Sequence, residues 1–346
     1  MILIYSVVAI LVLGIVVYVR LFYPMQLIDP NSIQSVWVTT PEEAKYHNDV
    51  LHPCIRRMSD GGYVMVQSPW YKCQDGMENP ILYISDDPMK WDKGIVVEDT
   101  PAKGYYSDPN VYEENGRIYV FWREVGTPLC EMLKVICAVV GVWTDDKGKT
   151  FSKKQVYITR TDEKIGTEIC PILIKKEGKF RFYTTWYQTW RQDRHNLGIA
   201  IWEGTSLEKP DFTMIKQVPF KTKYVCDKIK QKKIFCHLFF IPRPHKFDLW
   251  HFDLFEKEGK LYMIASEEMK DVVVLAESED WENFKLLRKP LINAHYMENY
   301  VGYRQTYYKP TAYYKGDDGE TQIFYTANPP QEYFVHRLYK TTINLR

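Results

Sequence analysis

Apolar and polar residues alternate in short runs through most of the chain, and glycine breaks the alternation at regular places. From His52 the sequence reads HPCIRRMSDGGYVMVQSPW, from Asp108 DPNVYEENGRIYVFWRE, from Cys170 CPILIKKEGKFRFYTTW, from His251 HFDLFEKEGKLYMIASEE and from Lys309 KPTAYYKGDDGETQIFYTAN. Each predicts a strand, a tight turn and a second strand. The turns fall at Gly61-Gly62, Gly116, Gly178, Gly259 and Gly319, where glycine supplies the positive φ that a short hairpin requires. After the first four hairpins comes a further strand with a polar turn and an aromatic: ILYISDDPMKW, VGVWTDDKGKTF, IAIWEGTSLEKPDF and VVLAESEDWENF. In the second of these, residues 144–151 fit the Asp-box pattern, in which the third-position Asp146 accepts hydrogen bonds from turn amides while Phe151 packs between sheets.

Units of about four strands that recur every roughly 40 to 80 residues predict a β-propeller, whose radial repetition hides sheet edges. Five such units fit residues 50–346, so the expected fold is all-β, a five-bladed β-propeller. The last unit lacks the polar turn, and its outer strand is expected from SVWVTT, residues 35–40, within a linker over residues 25–49 that would close the ring. The long insertion over residues 223–247 reads as a loop on the mouth of the ring.

Ahead of the propeller, residues 2–19 carry no charge, which is about the length of a membrane-spanning helix. No basic start or small-residue cleavage site precedes Arg20, so residues 1–24 are expected to form an uncleaved single-pass N-terminal anchor. The propeller is expected outside the cytoplasm; Arg20, the one flanking basic residue, argues weakly for the other side. The 45 Lys and Arg balance 44 Asp and Glu, and the single basic run, KIKQKK, reads as a solvated loop, so nucleic-acid binding is disfavoured. Seven cysteines are an odd number; Cys130 with Cys137, and Cys226 with Cys236, are spaced to close small loops. No Cys-x-x-Cys pair is present, which speaks against a zinc ribbon.

In a propeller the first strand of each blade lines the central channel, so the residues that begin these strands converge. That column reads His52, Asp108, Cys170, His251 and Lys309, with Glu168 two residues before Cys170 and Asp253 two after His251. A packed sheet would place apolar residues there; polar groups crowded at one mouth mark the default site. Arg123 and Arg304 are candidates to grip an acidic sugar or a ring hydroxyl, since a guanidinium binds a carboxylate bidentately. Trp70, Trp122, Trp186 and Trp250 flank the hairpins and are candidates for stacking on sugar faces, with packing between blades as the competing role.

With these motifs in view, SDPNVYEENGRIYVFWRE and LWHFDLFEKEGKLYMIASEE resemble the five-bladed propeller glycoside hydrolases of the family 43 kind and their relatives in families 32, 117 and 130. The pairing of His52-Pro53 with Glu78-Asn79-Pro80 is also similar to propeller proteins of bacterial surface-polysaccharide gene clusters. The first resemblance implies inverting hydrolysis, with a blade-one carboxylate as base, Asp108 as the orienting carboxylate and Glu168 as general acid. His52 stands where the base belongs. Either His52 serves as base, or Asp49, Glu78 or Asp253 replaces it, or the site binds glycan without cleaving it. Glu78, Arg123, His251, Arg304, Trp70 and Trp250 are then expected to bind substrate. No cofactor is required; His52 and His251 are candidates to hold a channel water or, as in some relatives, a structural calcium.

Two functions follow as expectations. The first is a membrane-anchored glycosidase acting on a polysaccharide or oligosaccharide. The second is a non-catalytic glycan-binding propeller that assists surface-polysaccharide assembly or export. A sialidase-like enzyme, suggested by the Asp-box turn alone, would need six blades, an arginine triad and a Tyr nucleophile.

Overall fold

The computed structural model describes residues 5, 12–13, 28, 32–160, 169–187, 196–219, 223–225, 244–246, 249–266, 272–287, 290–293, 306–314, 320–328 and 335–345. Five antiparallel sheets are arranged as the blades of a propeller. From the axis outward, blade one holds Cys54–Arg57, Tyr63–Gln67, Ile81–Ser85 and Ile95–Val96, and blade two Tyr105–Glu114, Arg117–Val125, Cys137–Thr144 and Gln155–Arg160. Blade three holds Ile169–Lys176, Lys179–Tyr187, Asn196–Gly204 and Thr213–Pro219. Blade four holds His251–Lys257, Lys260–Ser266, Val272–Ser278 and Lys285–Leu286, with Ile292–Asn293 as an extra strand. Blade five holds Thr306–Tyr314, Glu320–Asn328, Arg337–Asn344 and, outermost, Gln34–Ser35 from the start of the chain.

The inner hairpins form where the alternation and the glycines place them. Gly61, Gly116, Gly178 and Gly259 adopt φ of 93°, 84°, 81° and 78°; Gly319 lies outside the described residues. The alternating positions face neighbouring blades, and the apolar core is accordingly divided among the five gaps between blades. Trp122, Val120 and Val140 of blade two meet Cys54 and Val66 of blade one, while Phe121 and Tyr157 meet Phe182 and Trp202 of blade three. The remaining gaps are filled by Ile172 against Phe252, Tyr325 against Leu275, and Tyr313 against Ile55. Each inner strand touches the next, from blade one round to blade five and back to blade one.

Ring closure uses an adjacent segment in two ways. Gln34 and Ser35 pair with Lys340 and Tyr339 of blade five, whereas Trp37 and Val38 run parallel to Lys90 and Trp91 of blade one. The first and last blades are thereby tied by one short stretch of chain. Of the insertion over residues 223–247, Lys223–Val225 pairs antiparallel with Pro244–Lys246, and the rest lies outside the described residues. No helix among the described residues is long and apolar enough to cross a membrane. Only Tyr5, Val12 and Leu13 of the expected anchor are described, all in helical conformation.

Cys130 and Cys137 do not pair. Cys130 lies in the short helix Pro128–Leu133 and directs its thiol to the carbonyl of Glu124, 3.5 Å away, while Cys137 begins a strand. Cys54, Cys73 and Cys170 are also free thiols, and Cys226 and Cys236 lie outside the described residues.

The polar turns share one mechanism. Asp146 accepts from the Thr150 amide at 2.9 Å and the Thr150 hydroxyl at 2.7 Å, and the Gly148 amide donates to the Thr144 hydroxyl at 2.9 Å. Asp280 accepts from the Glu282 and Asn283 amides and Asp211 from the Thr205 amide, with Trp281 and Phe212 packed against the inter-blade cores. The Thr150 amide, then the Thr150 and Thr144 hydroxyls, hold Asp146 down from its ordinary 3.8 to about 2. Because the folded value lies below the unfolded one, this carboxylate's contribution is complete above about pH 4 and is lost as pH falls through about 2. Asp146→Ala is therefore expected to be less stable than the parent at pH 7 and to lose less further stability between pH 4 and 2. Denaturation at stepped pH reads the difference; equal acid sensitivity in the two proteins would refute the role of this turn.

Candidate functional site

All five inner strands begin at the same end of the channel, and three are distorted there in the same way. In blade two Asp108 and Pro109 stand opposite the single residue Trp122, in blade three Cys170 and Pro171 opposite Thr184, and in blade five Tyr308 and Lys309 opposite Thr326. Such two-against-one bulges re-aim side chains and leave a residue out of the ladder. Proline, which has no N–H to donate, fits beside the gap. Asp108 and Cys170 sit at φ of 53° and 56°, in the left-handed region that non-glycine residues seldom occupy. This conformation costs about 1–3 kcal/mol and persists where the surroundings over-determine it, commonly at functional sites.

The bulge points the Asp108 carboxylate into a cluster built by several blades. His251 Nε2 lies 3.0 Å from Asp108 Oδ1, and His52 Nε2 lies 3.6 Å from the same oxygen. Arg123, from the neighbouring strand, places its Nε 3.0 Å from Oδ2. On the far side of the His52 ring, Nδ1 lies 2.9 Å from the Ser68 hydroxyl and 3.4 Å from Glu78 Oε2. Glu78 in turn accepts from the Ser107 hydroxyl at 2.6 Å. His52, Asp108 and His251 are each exposed by 2% or less. Tyr308 covers the imidazoles, its ring centre 5.2 Å from His52 and 4.6 Å from His251, and Trp70 lies 6.4 Å beyond it.

Burial and charge act against each other across this cluster. Burial pushes both imidazoles down, His52 strongly, although Asp108 opposes the shift. Burial alone would raise Asp108, but Arg123 first, and then His251 and His52, hold it well below the usual carboxylate range. Glu78 goes the opposite way: burial raises it well above its ordinary value despite the Ser107 hydrogen bond. Lys309 is fully buried, its ammonium donating to the Pro109 carbonyl at 3.0 Å.

Several residues singled out by the sequence lie elsewhere. Asp253 is not a base-side group of this cluster: Arg56 of blade one grips it at 2.8 and 2.6 Å, and the Thr311 hydroxyl and Ala312 amide of blade five donate to it at 2.5 and 3.1 Å. It is an axial tie among blades one, four and five. Asp49, another of the three alternative bases, accepts from the Trp70 amide and from His336 Nδ1, at 2.5 and 2.9 Å, and so braces the loop that carries Trp70. Trp122 is wholly buried between blades. Trp250, by contrast, adjoins the cluster, packing edge-on against His251 with ring centres 5.9 Å apart. Glu168, Arg304 and the side chain of Trp186 lie outside the described residues. Ser68, Ser107 and Tyr308 enter the site without having been expected; Tyr308 adjoins Lys309 of the column, while Ser68 is visible only once the blade-one hairpin is paired. A cleft of about 370 Å³ lined by Arg56, Glu113, Lys175 and Tyr313 opens at the turn ends of the inner strands, away from Asp108.

No protein-family model and no curated protein matches the chain. Solved structures do. An N-acetylgalactosamine deacetylase from F. plautii, in complex with blood group B trisaccharide, superposes with a TM-score of 0.65 at 13% identity, over 90% of this chain and 94% of its own. A xylan β-1,4-xylosidase from Bacillus halodurans gives 0.59 at 13% identity, over 86% of this chain and 54% of its own. The GH43_1 enzyme from Xanthomonas citri complexed with xylose gives 0.57 at 12% identity, over 90% and 91%. At such identities the likeness is one of fold, the five-bladed propeller.

The Asp253–Arg56 tie lends itself to direct measurement. Removing one partner of a buried ion pair typically costs about 3–5 kcal/mol, because the other charge is left without compensation. Asp253→Asn is expected to destabilise the protein by that order in urea unfolding; a loss below about 1 kcal/mol would show that the pair does not hold the axis.

Proposed function

We propose that the chain is a carbohydrate-active hydrolase whose reaction centre is the channel mouth at Asp108. The observation that carries this reading is the convergence on one strained, buried carboxylate of Arg123 and two imidazoles, His52 and His251, under the aromatic wall of Tyr308 and Trp70. A carboxylate held at fixed geometry by a guanidinium needs little reorganisation when charge develops on a substrate. Aromatic faces beside it suit the apolar face of a sugar ring.

Scission of a glycosidic bond is the first reading. Asp108 is then the orienting carboxylate, and Glu168, whose geometry is not described, is the general acid that the family 43 likeness suggests. The imidazole of His52 stands in place of the carboxylate that would activate water in an inverting pair. A second reading, hydrolysis of an N-acyl group on a sugar, is favoured by that substitution: an imidazole-rich centre around one carboxylate suits attack on a carbonyl. The deacetylase among the solved structures gives a precedent on this fold for such chemistry. We place the propeller at a membrane surface through the uncharged run at residues 2–19, on the extracytoplasmic side where surface polysaccharides are met.

Both readings centre on Asp108, and one assay separates them. The full-length chain is incubated with aryl glycosides and with acetylated and de-acetylated polysaccharides, and reducing ends and acetate are measured together. Reducing ends indicate a glycosidase, and acetate a deacetylase. Asp108→Asn is expected to lower either activity by about 10²–10⁴-fold while keeping the parent's circular dichroism. Retention of glycan with no product of either kind from the parent would leave a glycan-binding propeller and end the hydrolase reading.

A further inference from the structure

We propose that His52, Asp108 and His251 form a binding site for one first-row divalent transition-metal ion at the channel mouth. The inference deepens the hydrolase reading by naming what the centre holds, and it rests on that reading only for the ion's role, since binding can be measured without turnover.

Geometry is the first argument. The three side chains come from blades one, two and four, all are buried, and one ligand atom from each lies within 4.8 Å of the others. Both Nε2 atoms approach the same oxygen, Asp108 Oδ1, at 3.0 and 3.6 Å. An ion with tetrahedral bonds of about 2.0–2.1 Å spaces its ligands by about 3.3 Å, between the two values found. Small side-chain adjustments within the fixed backbone would complete the set.

A second observation is independent of the spacing. His52 Nε2 is buried and makes no hydrogen bond among the described residues. A buried polar atom in that state calls for an explanation. Its partner nitrogen, Nδ1, is engaged by the Ser68 hydroxyl at 2.9 Å, which fixes the ring so that Nε2 faces Asp108. Arg123 likewise occupies Oδ2 of Asp108 and leaves Oδ1 for the ion. Metal-binding imidazoles and carboxylates are ordinarily oriented by such outer partners. Glu78 lies on the Nδ1 side of His52, 3.4 Å from that nitrogen, and is not one of the three grouped donors.

The donor set selects the ion. Two imidazole nitrogens and one carboxylate oxygen suit zinc, cobalt, iron or manganese. Calcium takes six to eight oxygen ligands, so the structural calcium suggested by the family likeness does not fit these residues. The buried ammonium of Lys309, bound to the Pro109 carbonyl beside Asp108, already supplies a positive charge. Three protein ligands leave at least one coordination position open, the arrangement of catalytic rather than structural sites. With Arg123 and Lys309 adding positive charge, that position favours an anionic or strongly polar oxygen, such as hydroxide or the carbonyl or hydroxyl oxygen of a glycan.

The test uses the tag-free, full-length chain stripped with a chelator and titrated separately with Zn²⁺, Co²⁺, Mn²⁺ and Ca²⁺, with metal content and binding heat measured. One equivalent of Zn²⁺ or Co²⁺ is expected, the latter with a visible ligand-field absorption. His52→Gln and His251→Gln are each expected to weaken binding by more than about 100-fold, the upper end of the cost of losing an outer-shell partner. Glu256→Gln, at the opposite cleft, is expected to leave it unchanged. Circular dichroism verifies folding, and if one histidine variant does not fold the other decides. The proposal is overturned if the stripped parent takes up no equivalent of any transition ion, if it binds calcium alone, or if binding survives intact in a folded histidine variant. A parent that binds one ion but releases neither reducing ends nor acetate would uphold the metal site and reject the hydrolase reading.

Discussion

The mouth of this propeller depends on the turned backbone at Asp108. A residue at φ of 53° inside a β-strand is unfavourable by itself, and in a regular strand the carboxylate would stand out from a face of the sheet toward a neighbouring blade. Three features keep it there. Pro109 needs no ladder bond where the ladder is broken. Arg123, on the paired strand, neutralises the carboxylate from the side. His251 of blade four holds its other oxygen from across the channel. Two of these features lie within blade two, and the third, His251, arrives only once the blades have closed, which couples the final order of the site to completion of the ring.

Completion of the ring has its own polar lock. Arg56, Asp253, Thr311 and the Ala312 amide join blades one, four and five below the mouth, and Lys309 of blade five reaches the Pro109 carbonyl of blade two. A five-bladed ring is narrow, so side chains near its axis find partners in other blades rather than in water. Charges placed there must pair or be costly. The apolar gaps between blades supply most of the burial, and the axial pairs fix how the inner strands register against one another.

Much of this was legible in the sequence because repeats carry their own alignment. Five hairpins in phase identify a column, and the column correctly brought His52, Asp108 and His251 to one place. Asp253 was misread for a simple reason. It shares the face of His251 but lies two residues farther along the strand, about 6.8 Å deeper, where Arg56 waits. Facing the channel is a matter of parity, whereas reaching the mouth is a matter of depth, and parity alone is periodic in sequence. Of the partners of His52, Glu78 was already marked by the Glu78-Asn79-Pro80 motif although it lies in a loop outside the repeat, whereas Ser68 was hidden because it meets His52 only through the folded hairpin. The reassignment of Cys130 follows the same logic, since the short helix that holds it carries no repeat signal.

The two channel aspartates show what separates a structural from a chemical carboxylate on one scaffold. Both are wholly buried and both face a guanidinium. Asp253 has both oxygens bound by Arg56 and further shared with a hydroxyl and backbone amides, so its acceptor capacity is consumed. Asp108 gives one oxygen to Arg123 and presents the other to two imidazoles whose protonation and orientation are set by different blades. An acceptor with capacity left, surrounded by groups that can each act as donor or acceptor, can exchange partners with a proton, an ion or a substrate. An acceptor already saturated cannot do so without breaking the fold. The difference arises from depth in the channel, so the same residue type serves architecture at one level and chemistry at the next.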